Sequence, residues 1–129
     1  MNETEMNPSE YSPSSLAFIG DAYFELKVRT AILKQAQRPV KELNKLKVKL
    51  VSADAQAVYY DKLSAEDGIL SAEELDIMKR GRNAFSKSTR GSSVGAYRKA
   101  TGFEALMGYL SLLGDDERCD EIIAFLNIV

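Results

Sequence analysis

Ala100-Thr101-Gly102-Phe103-Glu104-Ala105-Leu106-Met107-Gly108-Tyr109-Leu110-Ser111-Leu112-Leu113-Gly114 is the stretch on which the fold turns. Phe103, Leu106, Met107, Tyr109, Leu110 and Leu113 make it apolar nearly all round. A helix of that kind belongs at the centre of a bundle. Its one charged residue is Glu104. A carboxylate in such surroundings loses hydration, which costs several kcal/mol unless a partner restores it. A buried ion pair, a hydrogen-bonded carboxylate and a metal ligand are all open readings.

The other segments fall around this one. Pro13 and Ser14-Ser15 open a helix whose apolar positions Leu16, Ile19, Tyr23 and Leu26 recur at spacings of three and four, continuing toward Leu33. Across Tyr11–Phe24 its single charged residue is Asp21. Gln37-Arg38-Pro39 ends it, and Pro39 opens a second helix running through Leu43, Leu46, Leu50, Ala53 and Ala57 toward Leu63. Ser71-Ala72-Glu73-Glu74 is a capping box for a third helix, expected to end near Ala84 or Phe85. Residues 86–95 are small, polar and cationic, the pattern of a flexible loop. A fourth helix spans about Ala96–Leu113, and a fifth runs from Asp115 to Leu126. No segment sustains a period of two. The expected fold is all-α, a single domain over 12–129 of about five helices, with residues 1–11 as a loose arm.

Composition narrows the chemistry. The chain has 129 residues, a length suited to one core. Histidine is absent, which excludes Ser-His and Cys-His nucleophile pairs and imidazole acid–base work. A single cysteine, Cys119, excludes an internal disulfide and a thiolate cluster. No hydrophobic run approaches the roughly 20 residues of a membrane span. The acidic start Met1-Asn2-Glu3-Thr4-Glu5 lacks the features of a signal or transit peptide, so the expected location is cytoplasmic, away from any membrane.

A net charge of −2 conceals two cationic windows. Lys27–Lys49 holds eight basic residues and one acid, and Lys79–Lys99 holds seven and none. Solvated helix faces account for such windows, and so does a polyanionic partner. Gly20 precedes Asp21, and Gly102 lies two before Glu104. Glycine inside a helix costs about 1 kcal/mol relative to alanine. Its use there points to close approach of another backbone or of a ligand. Two carboxylates beside cationic segments suit Mg²⁺, a hard ion that keeps several waters and takes few protein ligands. An activated water then serves as nucleophile without histidine.

The stretch Ser15-Leu16-Ala17-Phe18-Ile19-Gly20-Asp21-Ala22 resembles the signature segment of ribonuclease III, and Ala100–Leu110 resembles that family's second acidic motif. Val51-Ser52-Ala53-Asp54-Ala55-Gln56-Ala57 and Lys79-Arg80-Gly81-Arg82-Asn83-Ala84 resemble two further segments of the Mini-ribonuclease III branch, which lacks the double-stranded-RNA-binding domain. Four such blocks in order are far more specific than any one. The resemblance implies a homodimeric, Mg²⁺-dependent endonuclease. It implies cleavage of double-stranded RNA to 5′-phosphate and 3′-hydroxyl ends, with precursor ribosomal RNA as substrate. It assigns Asp21 and Glu104 to the catalytic metal site. Two acids of the four-carboxylate family pattern are Ala17 and Thr101 here, as in the Mini branch. Thr101, one turn from Glu104, is placed to orient a water. Lys79, Arg80, Arg82, Asn83, Lys87 and Arg90 are the candidates for RNA contact, although Phe85 stands where the pattern expects lysine. Phe18, Tyr23 and Phe24 are the candidates for a dimer surface. Two other readings compete. One is a non-catalytic RNA-binding module of the same fold. The other is a helical nucleotide pyrophosphohydrolase, which would want clustered acids such as Glu-x-x-Glu.

Overall fold

A computed structural model describes residues 6–84 and 94–129. Among them are six α-helices and no strand: α1 (Pro13–Gln35), α2 (Val40–Val51), α3 (Ala53–Ser64), α4 (Ala72–Asn83), α5 (Val94–Leu113) and α6 (Asp116–Leu126). The fold is all-α, with α5 at its centre. Helices α1, α3 and α4 all pack on α5, and α2 lies against α1.

There is one helix more than the five expected. The single helix foreseen from Pro39 to Leu63 is two, broken at Ser52. Ser52 has extended backbone (φ −62°, ψ 158°), closes α2 and caps α3, its side chain accepting from the Ala55 N–H at 3.2 Å. A serine oxygen there satisfies an N–H that the new helix would otherwise leave orphaned. The break turns α3 out of line with α2, so that α3 reaches α5 while α2 stays on α1.

The buried line on α1 also differs from the expected one. Leu16, Gly20, Phe24, Val28 and Ile32 are buried, while Leu26 is 64% exposed and Leu33 62%. The reason is the crossing with α5. A Cβ on Gly20 would lie 1.7 Å from the Glu104 carbonyl oxygen, and one on Gly108 would lie 1.9 Å from the Leu16 carbonyl oxygen. The two helices touch backbone to backbone, and only glycine permits that approach. The contact line therefore runs through Gly20 rather than through the largest apolar side chains. Gly81 of α4 meets Gly102 of α5 in a similar crossing, with a Cβ on Gly81 falling 2.8 Å from the Gly102 Cα.

Phe24, Tyr59 and Phe103 knit α1, α3 and α5 together. The Phe24 and Phe103 rings meet edge to face at 4.9 Å and 85°. Such a pair contributes about 0.5–1.5 kcal/mol beyond its burial. Glu74, 7% exposed, receives the fork of Arg118, which ties α6 to the start of α4. Before α1, Pro8–Glu10 form a 3-10 turn capped by Asn7. The Arg80 guanidinium donates to the Ser9 carbonyl at 3.1 Å and pins that turn to α4. No described helix is long and apolar enough to cross a membrane.

Candidate active site

The α1–α5 crossing brings the two isolated acids together. Gly20 lets α1 rest on the carbonyl of Glu104 itself, and Asp21 is the next residue along. Both carboxylates open into one cleft of about 540 Å³, also lined by Ala17, Gln56, Tyr97 and Thr101. Asp21 is exposed and Glu104 half-buried. Their carboxyls are within hydrogen-bonding reach of each other.

Burial, then the negative charge of Asp21 and the hydrogen bond shared with it, pushes the Glu104 carboxyl up to about 8. An amide hydrogen bond from Gln56 acts in the opposite direction without overcoming them. Two carboxylates so placed cannot both ionise cheaply unless a cation lies near. Nothing else described in the cleft supplies one.

Thr101 donates its hydroxyl to the Tyr97 carbonyl at 3.0 Å and lines the cleft. Ala17, the other position that is acidic in the four-carboxylate pattern, is 8% exposed on the cleft wall. Gln56 is the polar residue that sequence reasoning passed over. It is 2% exposed, and its Nε2 donates to the Val51 carbonyl at 2.9 Å. Among the described residues, its Oε1 is the buried side-chain polar atom without a hydrogen-bond partner. A signal was present: α3 buries Gln56, Tyr59, Tyr60 and Leu63, a helical stripe whose first position is polar.

The donor set fits a small hard cation. Two carboxylates, a threonine hydroxyl and an unclaimed amide oxygen are all oxygen groups, the kind that Mg²⁺ takes while retaining water. No cluster of three or more His, Cys, Asp or Glu side chains occurs among the described residues, so the site is lean.

The basic candidates divide. Lys79, Arg82 and Asn83 are exposed at the end of α4. That end abuts the site helix, since a Cβ on Gly102 would lie 3.1 Å from the Arg82 backbone nitrogen. Arg80 is partly buried and bonded to Ser9. Lys87 and Arg90, like Phe85, lie outside the described residues. In the first cationic window Lys27 pairs with Asp120 at 2.9 Å and Arg29 with Glu25 at 2.6 Å. Lys41, Lys45 and Lys49 are exposed on α2.

Of the three aromatics expected at a dimer surface, only Phe18 is exposed, at 83%. Phe24 is in the core, and the Tyr23 hydroxyl donates to Asp116.

Comparisons with known proteins bear on the family and the fold. The family model described as Ribonuclease III domain matches residues 14–115, and the chain belongs to the ribonuclease III family. Within it, the chain is similar to several Mini-ribonuclease 3 proteins. The Mini-ribonuclease 3 of Thermoanaerobacter sp. is 50% identical over 87% of this chain and 78% of its own length. That of Acholeplasma laidlawii is 44% identical over 84% and 86%. A crystal structure of a protein from Fusobacterium nucleatum superposes with a TM-score of 0.80 at 34% identity, covering 91% of this chain and 92% of that one. Members of this family are endoribonucleases, and that is the enzyme class of this chain.

Proposed function

We propose that the chain is a Mg²⁺-dependent endoribonuclease that cleaves double-stranded RNA, leaving 5′-phosphate and 3′-hydroxyl ends. Its setting is ribosomal RNA maturation in the cytoplasm. Residues 12–129 form the catalytic domain, with residues 1–11 as an N-terminal arm. The observation that carries the reading is the pair Asp21 and Glu104, held at one helix crossing with the Glu104 carboxyl pushed up to about 8.

Asp21 and Glu104 would hold the ion. Bound Mg²⁺ supplies positive charge to a phosphate and lowers the pKa of a water. Hydrolysis would put the elements of water across the P–O3′ bond, OH on phosphorus and the proton on the departing 3′-oxygen. Thr101 accepts a hydrogen bond from a water and orients it. Lys79, Arg82 and Asn83, one helix away, contact the RNA backbone together with Lys87 and Arg90. Duplex RNA is recognised by shape, phosphates and 2′-hydroxyls, so exposed cations are sufficient. Arg80 serves by pinning the Ser9 turn.

A homodimer places two such sites on one duplex, one per strand. The outer face of α1 supports this, because Phe18, Leu26 and Leu33 are all exposed along it. Exposed apolar side chains in one patch mark a binding surface.

The test is cleavage of a long RNA duplex at low salt, with Mg²⁺ and with chelator, by the wild type and by Asp21→Asn and Glu104→Gln. Metal-dependent cutting lost in both variants is the expected result. A wild type that shifts the duplex without cutting it would instead make the chain a binding module. Cutting that survives both substitutions would place the chemistry elsewhere.

A further inference from the structure

Gln56 is the first member of the buried stripe on α3, ahead of Tyr59, Tyr60 and Leu63. Packing alone calls for a leucine or methionine there. A carboxamide at 2% exposure brings two donors and an acceptor into the interior, and each normally finds a partner. The nitrogen has its partner. Nε2 donates to the Val51 carbonyl at 2.9 Å. This bond fixes which way the amide faces. Were the group flipped, its oxygen would point at the Val51 carbonyl oxygen. Oε1 is therefore the end left over, unpartnered, in a side chain that lines the cleft of Asp21 and Glu104.

The surroundings indicate what it is for. The cleft has Ala17 and Thr101 where the four-carboxylate pattern has acids, so oxygen donors are few. Amide carbonyl oxygens are ordinary ligands of hard divalent cations. A neutral oxygen also suits an enzyme that must accept a phosphodiester. Two carboxylates balance one divalent ion, whereas a third would make the site net negative and repel the phosphate. We propose that Gln56 Oε1 is a neutral oxygen ligand of the divalent cation held by Asp21 and Glu104. This rests on the metal site proposed above.

Manganous ion alone, titrated into the RNA-free protein, provides the probe. Its affinity is read from the free-ion paramagnetic resonance signal, and its bound waters are counted by line broadening in ¹⁷O-water. Gln56→Met is expected to weaken binding about tenfold and to add one bound water. Gln56→Glu, which keeps the shape and adds charge, is expected to tighten binding about tenfold. Wild-type affinity or an unchanged water count in Gln56→Met overturns the proposal. If Gln56→Met does not fold, Gln56→Glu decides, and unchanged or weaker binding in it overturns the proposal as well. Asp21→Asn separates the two levels. Wild-type affinity in Asp21→Asn overturns the metal site itself. Lost binding there, beside wild-type affinity in Gln56→Met, overturns the role of Gln56 alone.

Discussion

Two glutamates on neighbouring helices meet opposite fates. Glu74 on α4 is 7% exposed and completely answered. Arg118 Nε and Nη2 donate to its two oxygens at 2.9 and 2.8 Å, and the Ser71 N–H donates at 2.9 Å. Burial alone would raise its carboxyl, but the Arg118 fork and the Ser71 cap hold it below the usual carboxylate range. Glu104 on α5 is also removed from water, yet it faces Asp21 rather than a cation, and its carboxyl rises to about 8. The fold can satisfy a buried carboxylate, and does so where the charge joins two helices. At the α1–α5 cleft it leaves one without a countercharge. A buried charge with its countercharge built in is architecture. One that lacks a countercharge is a place for a ligand.

The sharpest way to break this contrast is to neutralise each glutamate's surroundings in turn. Glu104→Gln should lower cleavage at least about 10³-fold, as measured by initial rates on duplex RNA, the scale seen when a key electrostatic group is removed. It should not lower the metal-free melting temperature, because no ion pair is lost. At α4 the signs reverse. Arg118→Met strands Glu74 in the interior and should cost about 3 kcal/mol in urea unfolding, discounted for the partial exposure of Arg118. Cleavage per folded molecule should stay within about twofold.

Proton linkage separates the two sites further. The folded Glu104 carboxyl lies above its ordinary value of 4.5, so between about 4.5 and 8 the folded state binds the extra proton. Its contribution is complete at low pH and is lost as pH rises through that window. Metal-free stability should therefore sag toward pH 8, and Glu104→Gln should remove the sag, raising the melting temperature at pH 8.5 by roughly 5 °C. Glu74 runs the other way. Its contribution is present above about 4.5 and is lost as pH falls through its lowered value. Arg118→Met should erase only that acid limb.

The smallest effects concern the basic residues of α4. Lys79→Ala and Arg82→Ala should each reduce the salt slope of duplex binding by about 1. Arg80→Ala should leave that slope unchanged and loosen the Ser9 turn, which limited proteolysis near residue 9 would report.

Much of the candidate site was legible along the chain. Asp21 and Glu104 stood out as lone charges in apolar helices, and Gly20 and Gly102 marked close approach. Both glycines proved to be backbone crossings, and one of those crossings is what brings the carboxylates together. Gln56 was harder to see. An uncharged amide in a mixed helix has no compositional contrast, and its importance lies in one unpartnered oxygen. Arg80 was grouped with its neighbours because charge is all that sequence displays. Its bond to a carbonyl 71 residues earlier is invisible there.

By itself the sequence determined the helical class, the central place of the Ala100–Gly114 segment, the isolation of the two acids and the positions of the cationic windows. These follow from local period and local composition, which act within a few turns of chain. Tertiary structure alone decided the break at Ser52, the face of α1 that is buried, and the division of cations between ion pairs and solvent. It also decided the unequal treatment of Glu74 and Glu104. Each of these depends on which backbone lies opposite, and that is set by the angle and closeness at which helices cross, not by the spacing of residues within any one of them.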